Sequence, residues 1–156
     1  MSVNIGLLAQ QEVTWLLERS AETAWAQLTP PQQQVASREV VTTNAQAMVT
    51  QALATPGAAA FVAREGAEPL GYLLAVVVPD ELTGWPTGLF LDVWVDPRYR
   101  GQALAARLSA AGEQHLRTLG INTVRRVVAS HNEASLRHSY KDGCWVERLV
   151  LTKDIG

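Results

Sequence analysis

Residues 91–105 read LDVWVDPRYRGQALA, a strand-forming run that breaks at Pro97 and restarts as a helix. At a helix amino terminus several amide hydrogens lack partners and the macrodipole is positive, so backbone alone can hold a pyrophosphate there. Gly101 and Ala103 are small enough to let phosphates approach. Asp92 supplies a carboxylate on the strand, and Ser139 and Tyr140 supply hydroxyls further along. An aspartate with an ordinary pKa near 3.9 is a poor base unless burial raises it or water relays the proton. The turn lacks the Lys-Ser/Thr of a P-loop and the three-glycine dinucleotide pattern, which disfavours a nucleotide-binding protein.

Other polar candidates carry less. His115 falls on the apolar stripe of its helix and reads as a packed or hydrogen-bonded residue, while His131 and His138 read as surface positions. Cys144 is the single cysteine, so an internal disulfide is excluded and a zinc site has too few ligands; no metal is expected. Thirteen Lys plus Arg against 15 Asp plus Glu give a net charge of -2, which recruits neither nucleic acid nor an anionic membrane. No apolar run reaches the roughly 18 to 20 residues of a membrane span, and no leader pattern opens the chain, so a cytoplasmic location is expected.

The elements that must position these residues follow from patterning. With 156 residues and 47% hydrophobic composition the chain suits a single domain spanning residues 1–156. A strand is expected over Val3 to Ala9, a helix over Glu12 to Leu28, and, after Thr29-Pro30-Pro31, a second helix to about Ala54. Val41, Ala45, Met48 and Ala52 recur on one face of the latter and read as core. Ala58 to Glu65 and Pro69 to Val78 read as a hairpin, Pro79 to Gly88 as a loop, and Leu89 to Val95 as a strand. Strict alternation on that strand puts Val93 and Val95 on the side of Leu91, and Phe90 and Trp94 with Asp92 on the other. Gly101 to Leu119 is expected as a helix with Leu104, Leu108, Ala111, His115 and Leu119 on one stripe. Thr123 to Ala129 is expected as a strand, Asn132 as the cap of a short helix to about Lys141, and Trp145 to Lys153 as a closing strand. The result is an α/β layer protein with a mixed sheet.

The Arg98-x-x-Gly101-x-Ala103 turn, opening an amphipathic helix after a Val93-x-Val95-x-Pro97 strand end, resembles the acetyl-coenzyme A signature of the GNAT (general-control-related N-acetyltransferase) superfamily. The resemblance implies the GNAT acyl-CoA N-acyltransferase fold, a mixed central β-sheet flanked by helices, and acetyl-CoA as cosubstrate without a metal. It implies that Val93, Trp94 and Val95 meet the pantetheine arm through backbone, and that Arg98, Arg100, Gly101, Gln102, Ala103, Leu104 and Ala105 surround the pyrophosphate. Asn132-Glu133-Ala134-Ser135 resembles the second cofactor element, in which the asparagine both caps a helix and contacts coenzyme A. Many members place a tyrosine, the acid for the leaving thiolate, where this chain has Ser139; Tyr140 stands one position later. A shift of one residue rotates a helical side chain by about 100°, so Tyr140, Ser139 and water all stay open as the acid.

Asp92 occupies a strand from which acidic residues of the family often deprotonate the amine, directly or through water. The implied reaction is acetyl transfer to a primary amine of a small molecule or peptide by direct attack in a ternary complex. The alternative is a catalytically weak CoA-binding or regulatory module. Trp15, Trp25 and Trp85 lie in the regions that form the acceptor wall in the family, and can equally serve as core or as a homodimer contact.

Overall fold

A computed structural model describes residues 2–156. Five strands form one sheet in the order β1 (Val3–Leu7), β2 (Ala59–Glu65), β3 (Glu68–Pro79), β4 (Pro86–Val95), β5 (Val124–Arg126). All neighbours are antiparallel except β4 and β5, which are parallel. Helices α1 (Val13–Gln27), α2 (Pro30–Val35) and α3 (Arg38–Leu53) lie between β1 and β2; α4 (Leu104–Thr118) joins β4 to β5, and α5 (Glu133–Lys141) follows β5. This is the expected mixed sheet flanked by helices.

The α2 and α3 helices replace the single long helix expected after Pro30. Ala36 leaves the helical region at ψ 143°, and Ser37 starts α3 by accepting the Val40 amide on its side chain. Two cores result. Leu16, Val49, Ala52, Val62, Tyr72 and Leu74 pack between the sheet and α1 with α3, and Leu73, Ala75, Phe90, Leu108 and Leu116 pack beneath α4. On α3 the buried face runs through Ala45, Val49 and Ala52, whereas Met48 is 49% exposed; the expected stripe was rotated toward solvent. On α4 the buried line is Leu104, Leu108, Gly112 and Leu116, with Ala111 and His115 at its margin and Leu119 exposed. A Cβ on Gly112 would stand 2.8 Å from both Leu73 and Phe90, so its absence lets α4 sit close on the sheet.

Three expected elements differ. β4 begins at Pro86, because Pro79 pairs with Pro86 and only Asp80–Trp85 turns, held by the Asp80 carboxylate accepting the Leu82 and Thr83 amides. β5 is three residues long rather than running to Ala129. Trp145 to Lys153 forms no strand: beyond the Cys144 amide, which bonds the Ser139 carbonyl, no backbone hydrogen bond is made by Trp145–Gly156.

Candidate active site at the diverging strands

The site begins with an irregularity in β4. Ala75 pairs with Phe90 but Leu74 pairs with Asp92, so Leu91 is an extra residue in the ladder, a β-bulge. Because strand side chains alternate with period two, one inserted residue reverses the faces beyond it. Phe90 packs under α4 together with Val93 and Val95, whereas Leu91 and Trp94 pack toward α1. The expectation of strict alternation is corrected here: Leu91 does not share the side of Val93 and Val95, and Phe90 does not share that of Asp92 and Trp94. Asp92 itself keeps the α1 side.

There Asp92 is 7% exposed, and its Oδ2 accepts the hydroxyl of Tyr72 at 2.7 Å, itself fully buried. Its Oδ1 is buried without a hydrogen-bond partner. Burial raises the Asp92 pKa to about 6, against the opposing pull of Tyr72, Ser20 and the Val93 amide. Such a carboxyl is largely ionised above neutrality yet a far better proton acceptor than a solvated aspartate.

Past the bulge β4 parts from β5. The two strands pair only at Gly88–Phe90 with Val124–Arg126, so beyond the bulge Asp92–Val95 are laddered to β3 alone and leave their other edge unpaired. Arg126 stands at the fork: its guanidinium lies 5.2 Å from the Phe90 ring centre, bonds Ser109 at 3.3 Å and pairs with Asp142 just after α5. At the far end of the unpaired edge lies the α4 amino terminus. Gly101 and Ala103 both adopt left-handed backbone, at φ 80° and 62°, and Ala103, as N-cap, has no side chain to engage the first-turn amides. The Cβ space of Gly101 is empty to 4 Å. The first-turn N–H groups are thus uncapped by any side chain and open to solvent, which suits an anion.

Ala103 is the single described residue other than glycine at positive φ, a conformation that costs an L-residue about 1–2 kcal/mol. Ala103→Gly is therefore expected to stabilise the fold by up to about 1 kcal/mol. Ala103→Val, at a position exposed to solvent, should destabilise it by about 1–2 kcal/mol. Thermal unfolding of the two variants checks the pair, and equal midpoints would contradict the strain.

The remaining candidates fall into place unevenly. Arg98 is bound to carboxylates, Asp96 at 2.7 Å and Glu68 at 2.9 Å, and Arg100 donates to the Val95 carbonyl at 3.1 Å. Gln102 is exposed, its amide 3.4 Å from the Arg98 carbonyl, and Leu104 and Ala105 open α4. Asn132 caps α5 by accepting the Ser135 amide at 3.2 Å. On α5, Ser139 is buried and Tyr140 is 53% exposed. His115 bonds the Gly57 carbonyl at 2.8 Å and packs edge-on to Phe61, a structural histidine as expected. His131 is exposed, its Nε2 donating to the Ala26 carbonyl at 3.0 Å, and beside it the Ala129 amide donates to Gln27 Oε1 at 3.1 Å. The carboxyl end of α1 is thereby fastened to the segment that starts α5.

A cleft of about 550 Å³ opens between α1 and the end of β4, walled by Trp15, Arg19 and Glu22 on one side and Trp94, Asp96 and Arg98 on the other. Trp15 meets Trp94 edge-to-face at 5.8 Å and Tyr72 at 5.7 Å, and Arg19 lies 5.4 Å from the Trp94 ring. Asp92 does not line the cleft but sits behind this wall, joined to it through Tyr72. Trp25 stacks under Arg38, and Trp85 is exposed in the 80–85 turn, so of the three anticipated wall tryptophans only Trp15 reaches the cleft. Sequence reasoning missed Tyr72, Ser20 and Arg126, which lie on other elements and meet the site only through the β3–β4 register and the fork.

A family model for the acetyltransferase (GNAT) family matches residues 12–142. Among solved structures the chain resembles a Pyrococcus furiosus protein assigned to the acetyl transferases, with 17% identity over 99% of this chain and 100% of that one and a TM-score of 0.82. It also resembles AAC(6')-Iy, solved with a bisubstrate analogue, CoA-S-monomethyl-acetylneamine, at 16% identity, full coverage of both chains and a TM-score of 0.72. The ribosomal-protein-alanine N-acetyltransferase of Brucella melitensis biovar Abortus 2308 follows at 15% identity, 99% and 100% coverage and a TM-score of 0.70. A search of curated proteins finds no significant sequence match. At these identities the structural likeness speaks for the fold, and the family match covers most of the chain including the α4 turn, the bulged strand and α5; the chain belongs to the acetyltransferase (GNAT) family.

Proposed function

We propose that this chain transfers the acetyl group of acetyl-CoA to a primary amine by direct attack in a ternary complex. The observation that carries the proposal is the unpaired edge left where β4 outruns β5, ending at the uncapped amides of α4. A pyrophosphate suits those amides and a pantetheine arm suits the free edge of Asp92–Val95, with Val93, Trp94 and Val95 meeting it through backbone. Arg98 and Arg100 are already engaged by Asp96, Glu68 and the Val95 carbonyl, so their contribution to phosphate binding is secondary to that of the amides of Gly101, Gln102, Ala103, Leu104 and Ala105. Asn132 adds a contact from the α5 end.

Acetyl-CoA supplies an activated acyl group on a thiolate that leaves readily. The acceptor enters the cleft beside Trp15 and Trp94, where the carboxylates of Glu22, Glu68 and Asp96 are each paired with Arg19 or Arg98, so a cationic acceptor competes with an arginine for its carboxylate. A small-molecule amine fits its volume, and aminoglycoside acetyltransferases stand among the similar structures beside a ribosomal-protein-alanine N-acetyltransferase. Asp92 takes the proton of the ammonium on Oδ1, through a bridging water, and the neutral nitrogen then attacks the thioester carbonyl as the C–S bond breaks. The thiolate takes its proton from Tyr140, with Ser139 and water as rivals. Soluble, cytoplasmic operation accords with the reaction; no described helix is long and apolar enough to cross a membrane.

A catalytically weak CoA-binding or regulatory module is the second reading. It is favoured by the serine buried where many members have the acidic tyrosine, with Tyr140 facing largely into solvent. Release of free thiol from acetyl-CoA with a panel of primary amines separates the two: amine-dependent release is expected, and acetyl-CoA binding without release would establish the module. Within an active enzyme, Tyr140→Phe is expected to slow turnover at least about tenfold at unchanged cofactor affinity, and Ser139→Ala to do less. The reverse order would move the acid to Ser139.

A further inference from the structure

A buried tyrosine hydroxyl needs a partner, and Tyr72, fully buried in the core between the sheet and α1 with α3, has a carboxylate for one. Its hydroxyl donates to Asp92 Oδ2 at 2.7 Å. Burial, and then the charge of Asp92, push the Tyr72 phenol well above its ordinary range, so it stays a donor at every working pH. Of the two carboxyl oxygens Oδ2 is therefore engaged, while Oδ1 is buried and has no partner among the described residues.

The ring that carries this hydroxyl is itself held in place. Trp15 of α1 meets it edge-on at 5.7 Å, and the bulged register sets Tyr72 opposite Trp94 on β4. The hydroxyl of Ser20, 3% exposed, stands close to both Tyr72 and Asp92, and that of Thr23 close to Tyr72. Charged residues of α1 face elsewhere: Glu18 and Glu22 are exposed, and Arg19 lies against the Trp94 ring. From α3 come Ala45, Val49 and Ala52, and from β2 Ala60 and Val62. Among the described residues, the side chains that act on Asp92 are thus two neutral hydroxyls, Tyr72 and Ser20.

We infer that Tyr72 is a positioning residue for the proposed proton transfer: by holding Oδ2 it fixes the plane of the Asp92 carboxyl and leaves Oδ1 as the oxygen that receives the proton. The inference rests on the reading of Asp92 as the base. Tyr72 does not line the cleft, so its effect is exerted through Asp92 and not on the acceptor. A donor to the ionised form also keeps that form populated near neutrality, against a burial that favours the acid.

Tyr72→Phe removes one oxygen from the core and little else. Without its donor the ionised carboxyl is disfavoured, so the Asp92 titration should move up by about one pH unit. NMR of labelled aspartate carboxyls, with Asp92→Asn identifying the signal, follows that titration without any catalysis. The acid limb of the kcat/KM profile should rise by the same amount, and the plateau above it should fall by about tenfold at unchanged KM for acetyl-CoA. Ser20→Ala should move both in the same direction by less, and replaces the first variant should that one not fold. An unmoved Asp92 titration in the folded variants would overturn the inference, and Asp92 would remain the base so long as the acid limb of the parent follows its titration. A plateau at the parent value would overturn it as well, since the hydroxyl would then tune the carboxyl without orienting it. A titration that rises with no change in the rate profile would instead remove Asp92 as the base, and with it the positioning role.

Discussion

Asp92→Asn is expected to yield a protein more stable than the parent at pH 8 and at least about tenfold less active at pH 7. The stability follows from linkage. Burial lifts the carboxyl from 3.8 to about 6 in the folded state. Between those values the folded chain binds a proton that the unfolded chain has released, so stability falls as pH rises through the window and the loss is complete above about pH 7. Two units correspond to about 3 kcal/mol; a neutral amide escapes that penalty but leaves a buried N–H₂ with imperfect partners, so a net gain of about 1–2 kcal/mol is expected. At pH 3.5, where the acid is protonated in the folded state and largely so in the unfolded, the gain should vanish. The activity loss follows from removing the proton acceptor, and it should shrink toward pH 9, where more of an amine with pKa near roughly 10.4 is already neutral. Thermal unfolding and kcat/KM measured across this range check both halves. An equal loss of activity at every pH would make Asp92 an orienting residue, and lower stability at pH 8 would make it part of a needed hydrogen-bond pair with Tyr72.

Gly101→Glu is expected to abolish acetyl-CoA binding, by at least about a hundredfold in affinity, while leaving the chain folded. The residue sits at φ 80° with nothing within 4 Å of its missing Cβ, so glutamate meets backbone strain of about 1–2 kcal/mol but no clash. It fills the space through which phosphate oxygens would reach the amides, and it adds a negative charge there. Gly101→Ala carries the strain without the charge or the length and should lose far less. Calorimetry on both variants, with circular dichroism as the folding control, decides the matter; unchanged affinity in a folded Gly101→Glu protein would remove the pyrophosphate from this turn.

Much of the site was legible because it is local. The strand-turn-helix from Leu91 to Ala105 is contiguous, and the proposed pyrophosphate contacts use backbone amides whose arrangement follows from Pro97, Gly101 and the helix beyond. The N-cap role of Asn132 and the structural role of His115 were readable for the same reason. The bulge was not. Counting back from the Pro79–Pro86 pair in regular register sets Tyr72 opposite Val93, and only the extra residue at Leu91 moves it opposite Trp94, diagonal to Asp92 on one face. Nothing in the types Phe90, Leu91 and Asp92 announces that insertion, since Phe90 and Leu91 suit either face of a covered strand and Asp92 is disfavoured on both. The failure of the closing strand has a different cause: its residues have the right pattern, but a strand exists only with a partner edge, and residues 145–156 are hydrogen-bonded to none.

The two hydrogen bonds that fasten α1 to the segment before α5 give the molecule a lever. Gln27 to Ala129 and His131 to Ala26 join the helix that carries Trp15 and Arg19 to the helix that carries Ser139 and Tyr140. At about 0.5–1.5 kcal/mol each they are strong enough to transmit a displacement and weak enough to yield to one. In the proposed reaction an acceptor that displaced α1 would load these two bonds and, through them, the start of α5. Under that proposal selectivity would be expressed in how fast a bound molecule turns over, beyond how tightly it is held.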